Sequence, residues 1–217
     1  MHLAQFRSEQ SKRKINLVFQ ILLVLVLYFL TDDQLVPGAI IVWQFIHFVL
    51  IAISDYYLDD HPHQNKTTLT LFLCCFSVFL LLSIYYGIFN ELYVRIHIAI
   101  LILGNLFGGK IDKPFWKILT YINIAIIVTI EIVRNELIAI FGMTILYTFG
   151  AICLLAIAER LSEKDRNFWM IHALILFVYI LLHGPFYQEA FIFLVGGISY
   201  ECSKLLINRI RVPSSSL

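Results

Sequence analysis

The chain reads as an all-α protein, a polytopic transmembrane helix bundle of about eight spans with the N-terminus and the C-terminus cytoplasmic. Three observations predict this. Of 217 residues, 60% are hydrophobic and only 14% are charged, and the mean hydropathy is +0.83, a balance outside that of a soluble globular domain. The apolar residues fall in runs of about 16 to 22, the length a helix needs to cross hydrocarbon. The basic residues sort by topology: with the N-terminal tail inside, all but two of the 16 Lys and Arg lie in cytoplasmic segments. The exceptions, Arg95 and Arg134, each have an acid close by in Glu91 and Glu131.

Backbone polar groups in hydrocarbon must be satisfied within the segment, so the apolar runs are expected to be helices, and no period-two alternation points to a barrel. The first span, 15–30, follows Arg7, Lys12, Arg13 and Lys14. It has the flanks of a signal peptide, but no small-residue cleavage site follows in 31–36, so an uncleaved helix is expected. The second, 36–54, carries Gln44 and His47 and ends at Tyr56 and Tyr57. The third, 68–88, follows a polar segment and ends at Tyr85 and Tyr86. The fourth, 93–109, begins at Tyr93 and closes on glycines. The fifth, 115–133, opens beside Trp116, and the sixth covers 137–158. The seventh, 168–183, opens beside Trp169 and is broken from the eighth, 187–207, by Gly184 and Pro185. Aromatic residues thus gather at span ends, where amphipathic rings prefer to sit. The fourth and seventh spans are the shortest, and a re-entrant path for either would leave six or seven crossings. The longest polar segment, 55–67, leaves no room for a soluble domain, so 1–217 is expected to be a single integral membrane domain.

A net charge of +1 excludes a bulk electrostatic attraction to nucleic acid. Of four cysteines none has zinc spacing, and no disulfide is implied.

Polar residues inside apolar runs are the candidates for function, because each must find a partner. His47, with Gln44 three residues earlier, fits a proton relay, a ligand contact or an interhelical bond to Asn105 or Asn123. Glu201 and Lys204 are spaced to pair along one helix face, and His172, one turn into its span, could meet them. Asn105, Asn123, His172, Glu201 and Lys204 complete the intramembrane set. At the outer ends stand Glu91, Arg95, Glu131, Arg134, His183 and Glu189. With Asp32, Asp33 and Glu136 they form either an acidic vestibule that attracts cations or simply the acidic remainder of a positive-inside chain. In the cytoplasmic segment Asp55, Asp59, Asp60, His61 and His63 offer divalent-metal chemistry, but Pro62 breaks their spacing and a solvated acidic loop is the plainer reading. Gly104, Gly109 and Lys110 match the first positions of a phosphate-binding loop. Ile111 stands where Ser or Thr is needed and no strand precedes, so Gly104 and Gly108 read as a small-residue packing face.

The usual nucleophile elbow, intramembrane aspartate pair and zinc-peptidase motif are missing from the sequence. The expectation is therefore a multi-pass sensor, anchor or regulatory subunit, without a cofactor. Its partners would be the lipid bilayer, a cytoplasmic protein bound through the basic loops 109–117 and 159–167, and further copies of itself packed through Gly104, Gly108, Gly142, Gly150, Gly196 and Gly197. The alternatives are a small transporter or channel with a polar path through His47, and a membrane-embedded lipid-modifying transferase with His47, His172 or His183 as base. A bacterial cytoplasmic (inner) membrane is the expected location, since no eukaryotic sorting feature is legible.

Overall fold

The computed structural model describes residues 2–30, 36–56, 71, 75–78, 91–112, 114–134, 145–162, 166–183 and 187–211. Within them the main elements are α1 (His2–Leu30), α2 (Gly38–Asp55), α3 (Leu92–Gly108), α4 (Pro114–Arg134), α5 (Ile145–Ser162), α6 (Arg166–His183) and α7 (Tyr187–Arg211), and there is no strand among the described residues. Among the described residues three segments are long and apolar enough to cross a membrane: Gly38–Asp55, Trp116–Val133 and Tyr187–Asn208. The fourth and seventh expected spans are matched by shorter apolar stretches, Leu92–Gly108 and Leu174–His183. Most of the expected third span, and the first part of the sixth, lie outside the described residues.

The distribution of polarity identifies the solvent. On α4, Thr120, Asn123 and Glu131 are buried while Ile118, Tyr121, Ile122, Ile132 and Val133 are exposed. On α1, Arg13, Asn16 and Gln20 are buried while Ile15, Val18, Leu22, Val26 and Phe29 are exposed. In water this arrangement would be inside out. In hydrocarbon it is the stable one, because polar groups gain from partners inside the bundle and apolar groups lose nothing by facing lipid. The chain is a helical membrane protein.

α1 differs from expectation at its start: the basic tail continues the helix back to His2. That extension is what gives Arg13 a fixed direction.

Two compact units can be distinguished, residues 1–77 with 191–217, and residues 78–190. In the first, α7 is the common wall. Its Gly196 and Gly197 have no side chain to hold neighbours away. A Cβ at Gly196 would lie 2.8 Å from Gln44 Nε2 and from Phe48, and one at Gly197 would lie 2.5 Å from Gln20 Oε1. The Gln44 amide uses this access to donate to the Ile192 carbonyl at 3.0 Å.

In the second unit α5 packs against both α3 and α6. Gly104 and Gly108 form the α3 face of that contact: a Cβ at Gly104 would lie 2.5 Å from Leu155 Cδ2, and one at Gly108 would lie 2.8 Å from Glu159 Cβ. On α5 itself Gly150 takes the Tyr179 hydroxyl. α3 ends at Gly109, whose φ of +80° is the left-handed conformation that glycine adopts without a steric penalty. Gly109 N–H donates to the Leu106 carbonyl at 3.3 Å and Lys110 N–H to the Asn105 carbonyl at 3.1 Å. The glycines that imitate a phosphate loop therefore form a helix cap whose amides are already engaged.

Candidate functional site

In the first unit a connected set of buried polar side chains joins α1 to α7. Glu9, Arg13, Asn16 and Gln20 recur every three or four residues along α1, which places them on one helix face. Opposite them, Glu201 projects from α7. Its Oε2 accepts from Arg13 Nη1 at 2.9 Å, and its Oε1 accepts from Asn16 Nδ2 at 3.0 Å. Arg13 Nη2 also donates to Glu9 at 3.2 Å, and Gln20 Nε2 donates to Asn16 Oδ1 at 3.3 Å. Arg13 is 7% exposed and Glu201 2%.

The neighbours of Glu201 on α7 form a second polar set. Tyr200 donates to Asp55 Oδ2 at 2.7 Å, and Lys204 Nζ lies 3.6 Å from the same oxygen. Glu201 and Lys204, expected as a pair along their own helix, thus each reach another helix. Ser199 and Ser203 donate to carbonyls of α7 itself.

His47 stands apart from this set. Its ring stacks on Trp43 with centroids 5.1 Å apart and meets Phe48 edge-on at 5.7 Å, and its buried Nδ1 has no hydrogen bond. Asn105 donates to the Leu101 carbonyl of its own helix, and Asn123 is buried with Oδ1 unbonded. His172 lies on α6, with its side chain outside the described residues.

The outer-end candidates lie in the second unit, and two of its acids face inward. Glu131 is 1% exposed and accepts from Arg95 Nη1 through both oxygens at 3.0 Å. Glu189 is fully buried and accepts from the Tyr147 hydroxyl at 2.7 Å, with its other oxygen unbonded. These two carboxylates are not offered to a vestibule, whereas Glu91 is exposed. His183 is exposed and stacks on Tyr179 at 4.8 Å, and Tyr179 stacks in turn on Tyr147 at 5.8 Å. Arg134 ends α4, with its side chain outside the described residues. At the opposite end of this unit Lys110 approaches Glu159 at 3.8 Å and Arg160 donates to the Phe107 carbonyl at 3.0 Å.

Of the weak metal candidates, Asp55 is engaged by Tyr200 and Lys204, and Asp59, Asp60, His61 and His63 lie outside the described residues. Among the described residues no group of three His, Cys, Asp or Glu side chains comes together.

Each Glu201 oxygen accepts a donor from α1, and the cation beside it is also held by Glu9, an arrangement that clamps the two helices. Arg13, Asn16 and Gln20 were the residues that sequence reasoning passed over. Their three- and four-residue spacing within α1 was the available signal, masked because Arg13 had already been explained as a topology charge. Tyr147 gave no signal beyond being aromatic. No family model, no curated protein and no solved structure matches the chain, so its function has to be argued from this geometry.

Proposed function

We propose that the protein is a multi-pass membrane subunit that senses for, anchors or regulates a partner protein, with its own polar interior serving to hold the helices together. The observation that carries this reading is that buried polar side chains engage one another between helices. Arg13 and Asn16 bond Glu201, Arg95 bonds Glu131, and Tyr147 bonds Glu189. A conduction path needs polar side chains that can exchange partners along a line, and a transferase needs a base aimed at a pocket. His47, the residue such a path would run through, sits among aromatic rings instead.

The eight-span threading with both termini in the cytoplasm belongs to the same proposal. It is supported by the meeting of Arg13, near the start of α1, with Glu201, in the second half of α7, since that contact brings both ends of the chain toward one side. Asp55, at the end of α2, meets α7 at Tyr200, next to Glu201, as an alternating path requires. The orientation rests on the excess of Lys and Arg in the segments assigned inside, and a bacterial inner membrane is proposed because the sequence carries no legible eukaryotic sorting feature. Self-association, if the protein uses it, must draw on surface other than Gly104, Gly108, Gly150, Gly196 and Gly197, because those contact neighbours within the chain.

Mild extraction of the tagged full-length protein from its native membrane, followed by mass spectrometry, tests the reading. A stoichiometric protein partner is expected. Recovery of the chain alone, together with substrate-dependent ion or solute flux in proteoliposomes, would replace it with the transporter reading.

A further inference from the structure

We draw no further inference here: the strongest candidate, the buried Glu189 carboxyl in the first turn of α7, with one oxygen bonded to Tyr147 and the other unbonded, is a lone acid with no cluster of ligating side chains around it among the described residues, and nothing in the structure shows what would bind there.

Discussion

Truncating Glu201 is the sharpest perturbation the first unit offers. Glu201→Ala leaves a buried guanidinium without its nearest anion and the Asn16 amide without its acceptor. Breaking a buried ion pair by removing one partner costs about 3–5 kcal/mol, and a stranded neutral donor adds about 1–3. Glu9 offsets part of this, since it remains 3.2 Å from Arg13, but its side chain is half exposed and it cannot replace a fully buried carboxylate. A net loss of about 4 kcal/mol corresponds to a fall of about 8–15 °C in the thermal midpoint for a chain of this size. Glu201→Gln keeps an acceptor for Asn16 and should lose roughly half as much. The decisive variant is Arg13→Met/Glu201→Leu, which removes both charges and fills their space. It should return to within about 1 kcal/mol of the parent, because a hydrophobic pair no longer bears the desolvation of two ions. The assay is thermal unfolding in lipid nanodiscs followed by intrinsic tryptophan fluorescence. A midpoint unchanged in Glu201→Ala would refute the claim that this contact holds α1 to α7. A double variant as unstable as the single one would refute the claim that charge compensation is what matters there.

Three further outcomes follow from the second unit. Arg95→Met strands the buried Glu131 carboxylate and should lower the midpoint as strongly as Glu201→Ala, while Arg95→Met/Glu131→Leu should recover most of the loss, measured in the same nanodisc assay. Gly104→Ala drives a methyl into Leu155 and should cost about 1–3 kcal/mol, and Leu155→Ala added to it should restore stability by making room, which a double-mutant cycle reads as coupling. Tyr147→Phe removes the one hydrogen bond to buried Glu189 and should cost about 1–3 kcal/mol, whereas Glu189→Leu in the same background should recover it.

The helical class and the membrane habitat were legible because apolar run length is a property of contiguous residues, and each described helix falls where a run predicted one. Gly104 and Gly108 were legible for the same reason: their four-residue spacing sits within one helix. What was not legible is partner choice. Arg13 and Glu201 are 188 residues apart, and nothing in either segment names the other. The stripe of Glu9, Arg13, Asn16 and Gln20 was visible as a pattern, yet the tail it begins in was read as a topology signal, with the helix expected from residue 15 where it starts at His2. Glu189 was assigned to the outer surface because it stands in the first turn of its span, which begins at Tyr187 as expected; what one helix's own sequence does not reveal is that this turn aims the acid inward, at Tyr147. His47 was the most conspicuous residue in sequence because an imidazole in an apolar run demands an explanation. In the structure aromatic packing against Trp43 and Phe48 supplies one that a residue list does not reveal.

If the intramembrane polar pairs are structural and the work is done through a partner, that partner must still bind when a pair is replaced by packing. The direct measurement is quantitative capture from native membranes by the full-length Arg13→Met/Glu201→Leu variant beside the parent, with the folded fraction of each determined by its thermal transition. The predicted result is the same protein partner at the same stoichiometry. A folded double variant that loses its partner, or that keeps it while losing a transport activity present in the parent, would show that Arg13 and Glu201 belong to the working site and would contradict the structural role assigned to them.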